Sequence, residues 1–197
     1  MDLWISIGST YTYLTAMRAA ALANAEGVRF RWRPFDTRHV MTLQGNLPFK
    51  DKPAKTAYMW RDIERRAGRY GLAPRLPAAY PVADLPRANR VALVGVDEGW
   101  VADYARAAYR LWFHDHLPVG EEPNLSRAVA EAGGDPAAAL AAADGDAMGA
   151  RLMAETEEAM RLGVFGTPTV FVDGEMFWGD DRLEDAIEWS RKGRLGD

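Results

Sequence analysis

Apolar and polar positions alternate near the start of the chain in a way that predicts strands. The pattern indicates a strand at Leu3 to Ile7, a helix from about Tyr11 to Ala25, and a second strand at Val28 to Pro34. Two strands that are joined through a helix pair in parallel. The amino-terminal segment is therefore predicted to form a βαβ unit.

Helical spacing dominates the middle of the chain. It predicts helices at Ala54 to Tyr70 and in a long run from Arg87 to about His114, whereas His39 to Pro53, with a glycine, an asparagine and two prolines, is typical of a loop. Prolines also punctuate the connection at Gly71 to Pro86. Further helices are predicted at Ser126 to Ala132, Pro136 to Ala143 and Asp146 to Leu162.

The last fifth of the chain returns to strand patterns. Val170 to Val172 is β-branched and aromatic, Asp173-Gly174 is a hairpin dipeptide, and Glu175 to Trp178 is a returning strand. A helix follows, and Asp181 stands three residues before Glu184 in the spacing of a capping box. The element order predicts an α/β protein.

Composition and charge exclude several classes of function. A chain of 197 residues with 48% hydrophobic content can form one domain, or a domain with a large insertion. The net charge of -4 offers no broad basic surface for nucleic acid. The apolar stretches fall short of the roughly 18 residues of a membrane span. The first residues lack the pattern of a secretory signal, so a cytoplasmic location is expected.

Thr167-Pro168-Thr169, at the start of a predicted strand, resembles a motif of thioredoxin-like proteins. A proline at this place fits a tight bend or a cis peptide bond. Thioredoxin-like redox chemistry requires two thiols, yet the chain contains no cysteine. Disulfide exchange by this chain is therefore excluded.

The segment where a redox motif would stand carries hydroxyl groups instead. Ser9 to Leu14 reads Ser-Thr-Tyr-Thr-Tyr-Leu and resembles the Ser-Pro-Tyr-Ser-Tyr-Leu pattern of the 2-hydroxychromene-2-carboxylate isomerase family, with Thr10 in place of the proline. That family is related to kappa-class glutathione transferases. The resemblance continues at Arg31 to Phe35, Gly45 to Pro48 and Lys55 to Asp62, and so spans nearly the whole chain.

The resemblance implies a fold and an activity. The fold would be thioredoxin-like with a large all-helical insertion: residues 1–36 and 160–197 would form the thioredoxin-like domain, and residues 37–159 the inserted helical domain. The activity would be glutathione-dependent isomerisation of 2-hydroxychromene-2-carboxylate in aromatic catabolism. Glutathione thiolate would add to the ring, the ring would open and rotate, and loss of the thiol would give trans-o-hydroxybenzylidenepyruvate. A homodimer is also expected.

Ser9 is the candidate catalytic residue. From spacing alone, Ser9 or Thr10 would cap the first helix, which stabilises a helix by about 1 kcal/mol. The resemblance implies that the Ser9 hydroxyl also donates to the glutathione sulfur at this helix start. A serine hydrolase would need a general base and an oriented partner, and no Gly-x-Ser-x-Gly elbow surrounds Ser9.

The candidate glutathione-binding residues lie in three segments. Thr167, before Pro168, would pair through its backbone with the extended tripeptide, so that its side chain should tolerate change. Asp180 and Asp181 would either serve the following helix or face the ammonium group of the γ-glutamyl end. Asn46 and Pro48 match a family Asn-x-Pro loop and would contact the ligand.

One departure from the family concerns the anion partner. Family members often carry a lysine about four residues before the loop asparagine, where this chain has Met41-Thr42. The partner of the substrate anion is therefore left open among Arg38, His39, Lys50 and Lys52.

Other functions remain open on the sequence. A kappa-like glutathione transferase or peroxidase would use the same binding residues but consume glutathione, and a non-catalytic binding protein could keep the fold. His114-Asp-His116 invites a metal hypothesis, but residues two apart do not share a helical face and no third ligand is identified, so no metal is predicted.

Overall fold

A computed structural model describes residues 1–196. Its sheet has four strands in the order β2-β1-β3-β4. These strands are β1 (Asp2–Ile5), β2 (Arg31–Pro34), β3 (Thr169–Val172) and β4 (Glu175–Trp178). β1 runs parallel to β2 and antiparallel to β3, and β3 forms a hairpin with β4. The predicted α/β class, the parallel pair and the hairpin are confirmed.

The first predicted helix is divided in the structure. Helix α1 spans Thr12–Ala16 and helix α2 spans Ala19–Glu26, so the single helix predicted from Tyr11 to Ala25 is wrong. The break coincides with Arg18, whose guanidinium lies over the Tyr70 ring and binds the backbone oxygen of Asp180 at 3.0 Å. The helix therefore breaks where Arg18 contacts residues that are distant in sequence, although no glycine or proline is present at the break.

Helices fill the chain between β2 and β3, and one more follows β4. They are α3 (Thr37–Leu43), α4 (Pro53–Arg69), α5 (Leu85–Glu98), α6 (Val101–Asp115), α7 (Asn124–Glu131), α8 (Pro136–Ala143), α9 (Asp146–Arg161) and α10 (Leu183–Lys192). The domain boundaries inferred above stay a prediction, and Asp197, at the end of the predicted thioredoxin-like domain, lies outside the described residues.

Two helix predictions need correction. Part of the predicted loop at His39 to Pro53 belongs to α3, because the Asp36 side chain caps that helix by accepting from the His39 N–H at 3.0 Å. The long run from Arg87 to His114 is two helices, α5 and α6. They separate at Gly99, whose φ of 87° is the left-handed conformation that glycine adopts readily at a helix end.

The two faces of the sheet pack against different groups of helices. Leu3 and Ile5 belong to a large core shared with α5 and α6, including the buried Tyr109. Trp4, which points to the opposite face, packs in a smaller cluster with Val40 of α3 and other side chains. Alternating residues of β1 therefore join two layers of helices, as the period of a strand requires. No helix of the described chain is long and apolar enough to cross a membrane.

Candidate active site

Two cavities meet beside the end of β1. The apolar cavity, of about 320 Å³, is lined by Ser9 and by side chains such as Met41, Phe49, Met59 and Leu85. The acidic cavity, of about 310 Å³, is lined by Asp62, Arg66, Pro168, Asp180 and Asp181. Tyr11, Thr167 and Trp178 line both. A ligand held in the acidic cavity therefore borders directly on the apolar cavity.

The turn that carries Ser9 is held from two helices of the middle segment. Asn89 of α5 accepts from the Ile7 N–H at 2.8 Å, and its amide nitrogen contacts the Ile7 oxygen at 3.2 Å. The Tyr109 hydroxyl of α6 lies 3.0 Å from the carbonyl oxygens of both Ser6 and Ser9. The helical spacing of Tyr109 is typical of a core aromatic residue, and no sequence motif indicates a role for Asn89. The sequence feature that could have identified Asn89 is its position as a polar residue among the apolar residues of a predicted helix.

Neither Ser9 nor Thr10 caps α1, so that prediction is wrong. The N-cap position is Tyr11, and no side-chain cap bond forms there in the described structure. Thr10 instead contacts the Met59 sulfur at 3.0 Å, and the Ser9 hydroxyl donates to the Thr167 oxygen at 3.4 Å. The Ser9 contact is long for a hydroxyl donor, so this hydroxyl is readily redirected.

The Thr167-Pro168 peptide bond is cis, one of the two alternatives that the sequence left open. Within residues 1–196, no hydrogen bond is assigned to the Thr167 backbone N–H. The Thr167 side chain is engaged, because its hydroxyl lies 3.1 Å from that of Thr12 and 3.3 Å from the Trp4 oxygen. The backbone N–H is available to a ligand, whereas the side chain makes structural contacts that the sequence did not indicate.

Asp180 is a buried carboxylate that already has a charged partner. Arg66 donates to its Oδ2 from Nε at 3.0 Å and from Nη2 at 2.8 Å. Burial raises the pKa of Asp180, while the Arg66 contact opposes that rise. Asp181 also lies near arginines, 3.9 Å from Arg66 and 3.4 Å from Arg182, but 45% of its side chain is exposed. Of the two carboxylates, Asp181 is the more available to an incoming ammonium group.

Local spacing does not decide the arrangement of these charged residues. The i,i+4 spacing of Asp62 and Arg66 favours a pair along α4, but Asp62 lies 3.8 Å from Arg65, and Arg66 binds Asp180. Asp181 was expected to begin a capping box. A 3-10 turn at Asp180–Arg182 intervenes, and Arg182 takes the N-cap position of α10 without a side-chain cap bond. Tertiary pairing with Asp180 thus overrides the local spacing of Arg66, and a local 3-10 turn replaces the predicted capping box.

Tyr11 forms a wall between the cavities. Its hydroxyl donates to Asp62 at 3.0 Å. Burial, together with the Asp62 hydrogen bond, raises the pKa of Tyr11, so the phenol stays protonated at neutral pH. This bond fixes the ring at the boundary of the two spaces.

The loop after α3 contributes unevenly to the site. Pro48 lines the apolar cavity, whereas Asn46 is exposed and lies outside the lining of both cavities. Among the four candidate anion partners, Arg38 lines the apolar cavity. Lys55, which is not one of these four candidates, lines it as well.

The histidine pair does not form a metal site with other side chains. His114 Nε2 lies 3.1 Å from the Tyr13 hydroxyl, and His116 ends α6 with a left-handed backbone. Among residues 1–196, no group of three His, Cys, Asp or Glu side chains is arranged to hold a metal ion.

Comparison with known proteins gives the family. The model of the DSBA-like thioredoxin domain matches residues 1–187. A 2-hydroxychromene-2-carboxylate isomerase from Sphingobium xenophagum is 30% identical over 196 residues, which cover 93% of this chain and 94% of that protein. The chain belongs to the 2-hydroxychromene-2-carboxylate isomerase family, within the DSBA-like thioredoxin domain family.

Two further comparisons agree with this family. An isomerase of the same name from Pseudomonas putida is 27% identical, with 93% of this chain and 90% of that protein covered. A solved structure of 2-hydroxychromene-2-carboxylate isomerase matches with a TM-score of 0.84 at 28% identity, covering 98% of this chain and 94% of that one. The predicted thioredoxin-like fold with a helical insertion is thereby confirmed, as is membership of a family of isomerases.

Proposed function

We propose that the protein is a glutathione-dependent 2-hydroxychromene-2-carboxylate isomerase. The observation that carries this proposal is that the acidic and apolar cavities share the walls formed by Tyr11, Thr167 and Trp178, with Ser9 in the lining of the apolar cavity. A peptide thiol in the acidic cavity would thus present its sulfur to an aromatic compound in the apolar cavity. The identity to relatives that carry this isomerase name supports the same substrate.

The residues of the acidic cavity fit glutathione. An extended peptide needs backbone partners, and the Thr167 N–H is available beside Pro168. A γ-glutamyl ammonium group needs a carboxylate, which Asp181 offers. A chain without cysteine also needs an external thiol for any sulfur chemistry.

When bound, glutathione would supply a thiolate that adds to the conjugated ring system and is released again after the opened ring has rotated. The Ser9 hydroxyl would leave the Thr167 oxygen and donate to the sulfur. A free thiol has a pKa of about 8.5, and one pKa unit corresponds to about 1.4 kcal/mol. Lowering this pKa below 7 requires about 2 kcal/mol, and a hydrogen bond to a charged group contributes about 1.5 to 3 kcal/mol, so a donor in the upper part of this range would make thiolate the major form at neutral pH.

The remaining residues of the site would orient rather than react. Tyr11, fixed by Asp62, would hold the two ligands in a constant relation. Asn89 and Tyr109 would keep the Ser9 turn in place. Rate acceleration would come from positioning and from the stabilisation of developing charge, without a covalent bond to the protein.

The decisive experiment follows 2-hydroxychromene-2-carboxylate by absorbance, with and without catalytic amounts of glutathione. Wild type, Ser9→Ala and the surface control Ser126→Ala are compared, since the Ser126 hydroxyl contacts Glu122 away from both cavities. We expect glutathione-dependent turnover that falls in Ser9→Ala and is retained in Ser126→Ala.

Other results would replace the proposal. Consumption of glutathione in step with the substrate would identify a transferase or peroxidase, and no conversion of any acceptor would identify a non-catalytic binding protein. The homodimer and the cytoplasmic location expected from the sequence stay predictions. Sedimentation analysis of the purified chain tests the dimer.

A further inference from the structure

The charges in the lining of the apolar cavity are of one sign. Among the described residues that form it, Arg38 and Lys55 carry a charge at neutral pH, and no carboxylate is present. The acidic cavity has the opposite balance, with three carboxylates and Arg66. The two spaces therefore favour ligand groups of opposite charge.

Arg38 is held in place by hydrogen bonds to uncharged acceptors. Its Nη2 donates to the Val82 oxygen at 2.8 Å and its Nη1 donates to the Ala83 oxygen at 3.2 Å. Both acceptors are neutral carbonyls, and within residues 1–196 no carboxylate lies within 4.0 Å of this guanidinium. A guanidinium has five N–H donors, so these two bonds leave further donors for an anion.

The other candidate cations are less suited to this role. His39, Lys50 and Lys52 do not line the apolar cavity. The Lys52 amine instead donates to the Leu47 oxygen at 3.2 Å. Lys55 does line the cavity, but it is exposed, and its amine lies 5.7 Å from the centre of the Phe49 ring.

Size and chemistry together define the ligand class. A cavity of about 320 Å³ is near the lower limit of small-molecule sites, which suits one aromatic compound of about two rings. Phe49, Tyr80 and Met59 offer it an apolar surface. A fixed guanidinium recognises a planar carboxylate through two parallel hydrogen bonds.

We infer that Arg38 binds the carboxylate of an aromatic acid in the apolar cavity, and that Lys55 adds only a screened attraction. This makes Arg38 the residue that selects anionic acceptors over neutral ones. Its role as a specificity residue in the isomerase rests on the proposed function. The binding of an aromatic acid does not.

Binding is tested without turnover, with 1-naphthoate and the neutral 1-naphthalenemethanol as probes, by calorimetry on the full chain. Wild type is compared with Arg38→Met, Arg38→Lys, Lys55→Met and Arg69→Met, an exposed arginine of α4 outside the cavity lining. We expect Arg38→Met to weaken naphthoate about 10- to 100-fold, which corresponds to loss of a charged hydrogen-bond pair.

The controls separate recognition from misfolding. Binding of the neutral probe should change by less than about threefold in every variant, which shows an intact cavity. Arg38→Lys should recover part of the affinity, and the loss in Lys55→Met should disappear in high salt. Equal losses for both probes in Arg38→Met, or equal binding of both probes to the wild type, would overturn the inference.

The same variants distinguish this inference from the proposed function. If naphthoate binding depends on Arg38 but no chromene is converted, the isomerase proposal fails and the inference stands. If chromene is converted with the same KM in Arg38→Met and naphthoate binding is also unchanged, the inference fails and the isomerase proposal stands.

Discussion

Arg66 of α4 donates two hydrogen bonds to one oxygen of Asp180, a residue 114 positions away in the chain. The Asp180 side chain is 4% exposed and that of Arg66 is 23% exposed. The pair joins the inserted helical segment to the turn that follows β4. It also leaves Asp181 as the accessible carboxylate of the acidic cavity.

Arg66→Met is expected to lower the free energy of unfolding by about 2–3 kcal/mol at neutral pH, because it leaves a desolvated carboxylate without its partner. The double variant Arg66→Met/Asp180→Asn should be more stable than Arg66→Met alone. Urea denaturation of the four proteins of this cycle measures the coupling. Simple addition of the two single effects would show that the pair contributes nothing.

The cost of Arg66→Met should also depend on pH. Burial already raises the pKa of Asp180 above its ordinary value of 3.8, and loss of Arg66 raises it further. A group whose folded pKa is raised contributes stability that is lost as pH rises from the unfolded value through the folded value. The stability difference from wild type should therefore be smaller at pH 5 than at pH 8.

Tyr109→Phe is expected to reduce isomerase activity by more than its loss of folding stability would cause. The change removes the hydroxyl that binds the Ser6 and Ser9 oxygens, so the Ser9 turn loosens. Tyr104→Phe is a matched control, because Tyr104 is also buried on α6 and its hydroxyl bonds a carbonyl, that of Ala88, at 3.1 Å. Both variants should lose about 1 kcal/mol of stability. Equal activity in the two variants would contradict a positioning role for Tyr109.

Thr167→Val tests whether the threonine side chain tolerates change, as its proposed backbone role suggests. The structure predicts a loss of about 1–2 kcal/mol of stability, because the buried Thr12 hydroxyl and the Trp4 oxygen lose a partner. Glutathione affinity should stay within a few-fold of wild type. Thr12→Val removes the same contact from the other side, so thermal unfolding and glutathione titration of both variants should give similar results.

His114 is expected to make the folded protein less stable in mild acid. Burial lowers the pKa of His114 below its ordinary value of 6.5, so the unfolded chain takes up this proton at a higher pH than the folded one. The free energy of unfolding should fall as pH drops through about 6.5. His114→Gln should flatten this part of the profile, as measured by denaturation from pH 7.5 to 5.5. An unchanged slope would assign the pH dependence to other groups.

Sequence patterns correctly predicted the features that depend on the conformational preferences of neighbouring residues. The Asp173-Gly174 hairpin and the bend at Pro168 depend on the conformations that these residues favour, and both are present. Helix α3 could have been predicted from Asp36, a side chain typical of an N-cap, but the glycine and prolines that follow favoured a loop.

Contacts between distant segments could not be predicted in the same way. The spacing of Asp62 and Arg66 satisfies the rule for helical pairs, yet Arg66 binds the buried Asp180 carboxylate, while Asp62 accepts from the Tyr11 hydroxyl. The hydrogen bonds of Asn89 to the turn after β1 span 82 residues, and no local pattern specifies which carbonyl a buried amide will meet.

Asn89 and Tyr109 also limit how this protein can be recombined with its relatives. Both lie in the helical segment between β2 and β3, yet each fixes the backbone of the segment from Ser6 to Ser9. A chimera that borrows this segment from another protein must bring an amide and a phenol to the same two places. Without them, the hybrid can keep the sheet and the cavities but will hold its serine in a different position.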